Sequence, residues 1–500
     1  MQVKKKKLVI LLGIVLLVMG LGFVFLQSRY RESERKRAQE ITKTCPRYEM
    51  DVTFDPEEKK IDILQQIKIT NDKSREFTEL YFHLYPNAFK TFDQVPFPRE
   101  EMNRAYPEGF APGYITINNL LVGSFQVDYE IEDTLLKVKL IEPLKSQRKL
   151  VLTLEFEVTI PPSHGRFGYG PNTFNIANWY PILAVYDEKG WHTDPYYNVG
   201  DPFYSEVGLY EIHIKAPKDY TIAASGSLQK KREEGNQAIW SFQTGLIRDF
   251  TWIAGANFDT SEVSAGNTRI VSYYPKDQEV YGVKALEHAQ KALCFFSEYF
   301  GEYPYDDYCV VASDFYIGGM EYPNLVMIGS EFYDSGEFLE YVVVHETAHQ
   351  WWYGLIGNNQ IDEAWLDEAL TEYSTILYYQ HFYGRKTGQK VYKEAILNPY
   401  KLYEATNTPG PMLRPLSEFT NWKDYSATVY YKGAIMLKEL EGRIGKGKLQ
   451  EALRYYFKEN LYKNATTTDF IEALNRVTGV DWTDNIYSWL KDSEILDIAV

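Results

Sequence analysis

Cysteine is scarce in this sequence, which has three cysteines among its 500 residues. None of them lies in a pattern with histidine that would make it a nucleophile, so catalysis by a thiol is excluded. Cys45 lies too far beyond the apolar N-terminal run to be a lipid-attachment site. Cys294 and Cys309 could form a disulfide bond if the body of the chain is exported, while buried free thiols are an equally good expectation. The choice between these two states stays open.

Basic residues are fewer than acidic ones. The chain carries 53 lysine and arginine residues against 69 aspartate and glutamate residues, which gives a net charge of −16, and its body shows no basic stripe. A nucleic-acid partner is therefore not expected. The sequence also lacks internal repeats and low-complexity segments. A composition that is 45% hydrophobic and 24% charged is that of an ordinary globular protein, long enough for two or three domains.

One long uncharged run lies at the N-terminus. Residues 8–26 are nineteen residues without a charge, just enough to span a bilayer as a helix, and they follow four lysines. Residues 1–27 are therefore predicted to be a membrane anchor and residues 28–47 a charged juxtamembrane linker. A cleaved signal peptide is the alternative, but the run is long for one and lacks a cleavage site of small residues. We expect a single-pass protein of the cell membrane, with the membrane as a partner and the body outside.

Two patterns of hydrophobic residues follow the linker. In residues 48–262 apolar residues alternate with polar ones, as they do along residues 152–160, which predicts a half-buried antiparallel β domain. From about residue 280 the spacing becomes helical, with a short buried strand at residues 308–312. This second domain is predicted to occupy residues 263–500. The predicted fold class is therefore α+β, an N-terminal β domain followed by a mainly helical domain, with an N-terminal transmembrane helix.

Two of the eight histidines lie four positions apart, in the segment His345-Glu346-Thr347-Ala348-His349. On a helix this spacing places both imidazoles on one face, where they can bind one metal ion. Glu346 lies beside them, where it could act as a base toward a water molecule on that ion. Glu368, after 18 intervening residues, is the predicted third ligand.

Three protein ligands leave a fourth position open for water, which is typical of a catalytic zinc site rather than a structural one. The alternative is an ordinary surface helix that happens to carry two histidines. The apolar segments on both sides of the motif argue against that alternative, because they indicate a buried helix. One zinc ion per chain is expected.

The third ligand falls within a second helical pattern. Asp362 is a good N-cap for this helix, and Gly384 is a good C-terminal stop. Glu372 lies four residues after Glu368 on the same face, where it could accept a hydrogen bond from a ligating histidine and fix its tautomer. A solvated glutamate without such a role is the alternative for Glu372.

Three further motifs accompany the zinc signature. They are Gly318-Gly319-Met320-Glu321, Trp365-Leu366-Asp367-Glu368 and Tyr430-Tyr431-Lys432-Gly433. Together with the zinc signature they resemble the gluzincin aminopeptidases, the family typified by aminopeptidase N and leukotriene hydrolase. The resemblance extends from about residue 280 to the C-terminus. It implies a thermolysin-like catalytic domain with peptides as substrates.

The resemblance also implies roles for individual residues. Glu321 would bind the free amino group of the substrate. The backbone of Gly318, Gly319 and Met320 would pair with the substrate as an added strand. Tyr430 would stabilise the oxyanion that forms during peptide hydrolysis.

The sequence departs from the family pattern at two positions. Tyr322 stands where the family usually has asparagine, and Asp367 replaces the asparagine beside the third ligand. Larger relatives continue into a C-terminal helical domain that encloses the site, so a more open cleft is expected here. A zinc aminopeptidase is the favoured function. A zinc endopeptidase and a non-catalytic binding protein on the same fold are the alternatives.

Overall fold

The computed structural model describes residue 32 and residues 34–492 of the chain. The chain divides into two compact units, Met1–Cys45 and Pro46–Val500. In the first unit, residues 34–41 are helical (α1). The remaining described elements lie in the second unit.

The transmembrane helix has to be removed from the predicted fold class. Within residue 32 and residues 34–492, no helix is both long enough and apolar enough to cross a membrane. Residues 8–26, the segment of the predicted helix, lie outside the described residues. The fold class is therefore corrected to a mixed α/β fold with an N-terminal β domain and a helical C-terminal domain. The predicted single-pass location in the cell membrane and the membrane as a partner are therefore not supported by a described helix either.

The N-terminal β domain consists mainly of three β-sheets and their connections. Its strands are β1 (Arg47–Asp55), β2 (Lys60–Thr70), β3 (Phe77–His83), β4 (Tyr114–Val122), β5 (Phe125–Gln126), β6 (Tyr129–Glu132), β7 (Leu135–Leu144), β8 (Lys149–Thr159), β9 (Phe167–Tyr169), β10 (Thr173–Ile176), β11 (Ile182–Leu183), β12 (Tyr186–Asp187), β13 (Gly190–Trp191), β14 (Leu209–Pro217), β15 (Thr221–Ala224), β16 (Ser227–Glu234), β17 (Gln237–Gln243) and β18 (Trp252–Gly255). The largest sheet has the order β16-β17-β14-β1-β2-β8-β4-β5. Two four-stranded sheets have the orders β15-β18-β10-β9 and β11-β3-β7-β6.

Alternating burial explains why this part of the chain forms sheets. In β2, Ile61, Ile63, Ile67 and Ile69 are buried, and exposed or half-buried residues separate most of them. Such a strand buries one face and exposes the other. β2 pairs antiparallel with both β1 and β8, as predicted, whereas β1 pairs with β14 in parallel.

The C-terminal part begins with a mixed five-stranded sheet. Its strands are β19 (Phe258–Ala265), β20 (Thr268–Pro275), β21 (Asp307–Ser313), β22 (Gly319–Met320) and β23 (Leu325–Gly329), in the order β19-β20-β21-β23-β22. β21 is the predicted buried strand. The short strands β24 (Gly357–Asn358) and β25 (Asn464–Ala465) pair in parallel. Because β22 is at one end of the order, the motif that contains Met320 lies on a sheet edge.

Helices make up most of the rest. They are α2 (Met102–Ala105), α3 (Glu279–Tyr299), α4 (Glu331–Ser335), α5 (Leu339–Ala348), α6 (Trp365–Val391), α7 (Asn398–Glu404), α8 (Trp422–Tyr425), α9 (Gly433–Ile444), α10 (Lys446–Asn460), α11 (Thr467–Thr478) and α12 (Thr483–Lys491), with π-helical turns at Tyr392–Leu397 and Ser426–Lys432. α5 and α6 carry the zinc signature, and α6 lies directly against α9. A Cβ atom at Gly433 of α9 would be only 2.4 Å from Cβ of Ala369 of α6, so glycine permits this close approach.

Local details correct some of the predicted helix ends. The N-cap of α6 is Ala364 and not Asp362. The side chain of Asn359 accepts the backbone N–H groups of Ile361 and Asp362, which forms a turn before the helix and displaces the cap. Gly384 does break the helical conformation, with φ of +81°, but helical hydrogen bonding resumes after it.

Two other expectations concern the chain as a whole. Cys294 is an exposed free thiol and Cys309 a buried one, so these two cysteines are not paired. The predicted boundary between residues 262 and 263 stays a prediction, because Pro46–Val500 forms one compact unit.

Candidate active site

The three predicted zinc ligands converge on one point. His345 lies in the last turn of α5, His349 directly follows that helix, and Glu368 lies in the first turn of α6. The Nε2 atoms of the histidines are 3.2 Å apart, and Oε2 of Glu368 lies 3.5 Å and 3.3 Å from them. A tetrahedral zinc ion about 2.0–2.1 Å from each ligand requires ligand atoms about 3.3–3.4 Å apart. The three atoms are therefore spaced as one face of a tetrahedral zinc site would require.

Buried atoms without partners indicate that this donor set fits a cation. Among the described residues, Oε2 of Glu368 and Oε2 of Glu346 are buried and have no hydrogen-bond partner. Burial acts to lower the pKa of His349, but Glu321, Glu368 and Glu346 together raise that pKa well above its usual value. The surplus of negative charge favours a positive ion. Two imidazoles and a carboxylate are also the ligand set of many catalytic zinc sites.

The two histidine rings have different neighbours at Nδ1. Nδ1 of His349 lies 3.1 Å from the carbonyl oxygen of Trp352, and a hydrogen bond donated there leaves Nε2 free to bind a metal. Nδ1 of His345 lies 3.6 Å from Oε1 of Glu372, whose other oxygen accepts the Tyr341 hydroxyl. This distance is within ion-pair range but longer than a hydrogen bond. The role of Glu372 as an acceptor therefore stays a prediction.

Glu346 lies between the zinc ligands and the sheet edge. Its side chain is buried, and a Cβ atom at Gly319 would lie 2.1 Å from its Oε1 atom. Burial, and after it the charge of Glu321, raise the pKa of Glu346 well above the usual value. A carboxylate with a raised pKa is a better proton acceptor than an exposed one. The structure thus places the predicted base beside both the metal ligands and the predicted substrate-binding segment.

The segment Gly318 to Met320 is suited to bind an extended peptide. β22 pairs with β23 on one side and ends the sheet order on the other. Edge strands carry backbone N–H and C=O groups that an added strand can pair with. Gly318 has φ of +123°, a conformation that favours glycine and that turns the chain into the strand.

Glu321 directly follows this edge strand and is buried. One of its carboxylate oxygens lies within 4.8 Å of ligand atoms of His349 and Asp367. Nε2 of Gln360 donates to Oε1 of Glu321 at 3.4 Å. Burial is the largest cause that raises the pKa of Glu321 to about 7. The structure therefore brings this carboxylate next to the predicted metal site.

Tyr430 contacts two of the predicted ligands from a π-helical turn. Its hydroxyl donates to Oε1 of Glu368 at 2.5 Å, and its ring stacks on that of His345 with the planes 6° apart. Lys432 is buried, and its ammonium donates to the carbonyl of Asp492 at 2.7 Å. The predicted site residues on the chain segments 318–321, 345–349, 368 and 430 are thus brought together.

The two departures from the family pattern have different surroundings. Tyr322 is fully buried, and its hydroxyl donates to Oδ1 of Asn178 at 2.8 Å, which directs it into the β domain and away from the metal ligands. Asp367 is buried beside Glu368 and accepts hydrogen bonds from Gln360 and Asn358 at 2.5 Å and 3.2 Å. Only Asp367 therefore adds a carboxyl group to the site.

Asp201 and Arg166 are site residues that the sequence reasoning missed. A carboxylate oxygen of Asp201 lies within 4.8 Å of oxygens of both Glu321 and Glu368, and Arg166 forms a buried ion pair with Asp201. Neither residue lies in a recognisable motif. The segment of residues 192–208 that holds Asp201 also has little regular structure, so no periodic pattern marks it.

Comparisons with known proteins agree with this geometry. Residues 284–491 match the family model described as Peptidase family M1 domain. Probable aminopeptidase 2 of Sulfurisphaera tokodaii is 22% identical over 304 residues, which cover 56% of this chain and 38% of that protein. Aminopeptidase N of Haemophilus influenzae is 29% identical over 232 residues, which cover 43% of this chain and 26% of that protein. The matched stretch is thus less than half the length of these relatives.

The fold is shared with solved structures. The crystal structure of M1 zinc metallopeptidase from Deinococcus radiodurans superposes with a TM-score of 0.64 at 16% identity, covering 91% of this chain and 95% of that one. This likeness shows a common fold over both domains. The zinc cofactor is supported by the family match and by the group of His345, His349 and Glu368. The match of residues 284–491 to the M1 peptidase domain and the similarity to these aminopeptidases support the gluzincin aminopeptidase family for this chain.

Proposed function

We propose that this chain is a zinc aminopeptidase that removes N-terminal residues from peptides. The proposal rests on the short distance between Glu321, which would bind the substrate, and two of the residues that would bind the metal. A carboxylate oxygen of Glu321 lies within 4.8 Å of a metal-binding atom of His349, and the same holds for Glu321 and Glu368. A substrate ammonium on Glu321 would therefore lie beside the metal.

This distance selects the first peptide bond. In a peptide the α-nitrogen lies about 2.5 Å from the first carbonyl carbon, as follows from the N–Cα and Cα–C bond lengths. An α-ammonium bound to Glu321 therefore leaves the first carbonyl near the metal, while later carbonyls lie farther along the chain. Pairing of the peptide backbone with β22 would hold the rest of the substrate extended.

The zinc ligands would be His345, His349 and Glu368. A zinc ion held there would supply two things, a lower pKa for its water molecule and a Lewis acid for the scissile carbonyl. Glu346 then accepts the proton of the attacking water and passes it to the leaving amine. Tyr430 donates a hydrogen bond to the oxygen that becomes negatively charged, after exchanging its present acceptor, Oε1 of Glu368.

Glu346→Gln tests the assignment of the base. The variant keeps the three ligands, so zinc content measured by atomic emission should equal that of the parent. The rate of hydrolysis of an unblocked peptide should fall at least about 10²–10⁴-fold, the usual contribution of a general base. Glu337→Gln, an exposed glutamate just before α5, is the matched control and should behave as the parent does. Activity in Glu346→Gln within about tenfold of the parent, equivalent to about 1.4 kcal/mol, would contradict the proposal.

A further inference from the structure

One ring nitrogen of His345 lacks an acceptor. Its Nδ1 atom is buried and has no hydrogen-bond partner in the described part of the chain. A neutral imidazole that binds a metal through Nε2 carries its proton on Nδ1. A buried N–H group without an acceptor is unfavourable. Zinc binding through Nε2 of His345 therefore requires an acceptor beside Nδ1.

Glu372 is the carboxylate beside this nitrogen. Its Oε1 atom lies 3.6 Å from Nδ1 of His345, and its side chain is buried. Hydrogen bonds of this type extend to about 3.2 Å, so a shift of about half an ångström would form one. The other oxygen, Oε2, accepts the hydroxyl of Tyr341. With Oε2 bound to Tyr341, Oε1 is the oxygen turned toward His345.

We propose that Tyr341 is a positioning residue of the zinc site, whose hydroxyl holds Glu372 so that Oε1 accepts the Nδ1 proton of His345 when zinc binds. Tyr341 and Glu372 both lie outside the zinc signature and the three motifs that accompany it. The inference rests on the zinc ligands of the proposed function and not on the choice of the N-terminal peptide bond. Groups that orient a metal ligand in this way raise its basicity and fix its tautomer.

The two ligand-bearing helices fix this contact. Tyr341 lies one turn before His345 on α5, and Glu372 lies one turn after Glu368 on α6. The ring of Tyr341 also stacks on that of Tyr379 of α6, with the planes 26° apart. Stacking therefore holds the ring independently of the hydroxyl. Tyr341→Phe should remove the hydrogen bond to Glu372 and leave the ring in place.

The test measures the Kd of zinc by competition with a chelator of known affinity, on the purified full chain. Tyr341→Phe should raise this Kd about tenfold, and Glu372→Ala should raise it about 10–100-fold, the usual range for groups that orient a ligand. If Glu372→Ala does not fold, Glu372→Met takes its place, because it fills more of the same volume.

Tyr378→Phe is the matched control. Tyr378 is a buried tyrosine of α6, and its hydroxyl donates to Oε1 of Glu340 of α5 at 2.9 Å. This substitution also removes a hydrogen bond between the two helices, but the bond ends five residues before His345. The Kd of zinc should stay within about twofold of the parent value, since no group beside a ligand is released.

A double variant shows whether Tyr341 acts through Glu372. If it does, Tyr341→Phe combined with Glu372→Ala should bind zinc as weakly as Glu372→Ala alone. A merely structural role for Tyr341 would instead make the two losses multiply. Multiplied losses would overturn the inference.

Two other results would also overturn it. One is a Kd of zinc for Tyr341→Phe within about twofold of the parent value, and the other is an equal loss in Tyr378→Phe. Each of these leaves the proposed function intact if the parent binds zinc and hydrolyses unblocked peptides. A parent that binds no zinc would overturn both proposals.

Discussion

Replacing Gly433 with alanine perturbs the contact between α6, which holds Glu368, and α9, which directly follows the π-helical turn of Tyr430. The added Cβ atom would lie 2.4 Å from Cβ of Ala369, whereas ordinary contact begins at 3.4 Å, so α6 and α9 must separate by about 1 Å. Both atoms are fixed to helix backbones and cannot rotate away. Overpacking of this kind costs about 1–3 kcal/mol, partly offset by a gain of up to about 1 kcal/mol in helix propensity.

The consequence for activity follows from the neighbours of this contact. Ala369 directly follows Glu368, and Tyr430 precedes Gly433 by three residues and donates to Glu368. A misplacement of about 1 Å between groups that act together can lower a rate about a hundredfold. We therefore expect kcat of Gly433→Ala to fall about tenfold to a hundredfold, and its free energy of unfolding to fall by up to about 2 kcal/mol.

Steady-state kinetics with an unblocked substrate and denaturant unfolding measure these two quantities. Gly442→Ala is the matched control, because Gly442 lies in the same helix and a Cβ atom there meets nothing within 4 Å. That control should keep full activity and gain stability of up to about 1 kcal/mol. If Gly433→Ala gives the same result as Gly442→Ala, the close approach of the helices does not constrain the site.

Three further substitutions test separate parts of the account. Loss of a group that only orients a ligand weakens metal binding about 10–100-fold, so Glu368→Ala, which removes a ligand, should weaken zinc binding by more than that. Full zinc retention after dialysis would point to another third ligand. Tyr430→Phe should lower kcat by about 10²–10³-fold with little change in KM, as expected for a donor to the oxyanion, and an equal rise of KM would instead indicate a role in binding. His83 is fully buried, and burial lowers its pKa from 6.5 to about 4, so the unfolded state binds more protons between these two pH values. The free energy of unfolding should therefore fall by up to about 3 kcal/mol as the pH drops from about 6.5 to about 4, and His83→Phe should remove this part of the pH dependence seen in denaturant titrations. An unchanged pH dependence in His83→Phe would show that His83 is not the group responsible.

Local spacing made the convergence of the two histidines predictable from the sequence. His345 and His349 are one helical turn apart, so their convergence depends only on the helix that contains them. Glu368 comes from another helix, and its position was expected from the family motif and not from the helical spacing itself. The alternation of apolar residues in β2 and β8 likewise reflects local geometry, and it indicated the β domain correctly.

Contacts between distant parts of the chain could not be predicted in this way. Arg166, Asp201 and Glu321 meet only because the β domain packs against the sheet edge, and no pattern within their own segments reports that packing. The N-cap of α6 also depends on a contact with a neighbouring residue, which the prediction of Asp362 did not include. Asp362 has the chemistry of a cap, but Asn359 forms a competing turn with the same backbone groups, and Ala364 begins the helix instead.

The central claim is that the site cuts peptides from the N-terminus, and a digest of a peptide library by the purified chain tests it most directly. The library should contain each peptide in an unblocked and an N-acetylated form, with products identified by mass spectrometry. The account predicts that unblocked peptides lose residues one at a time from the N-terminus and that acetylated peptides stay intact. Internal cleavage, or equal cleavage of the acetylated peptides, would contradict it and would favour an endopeptidase.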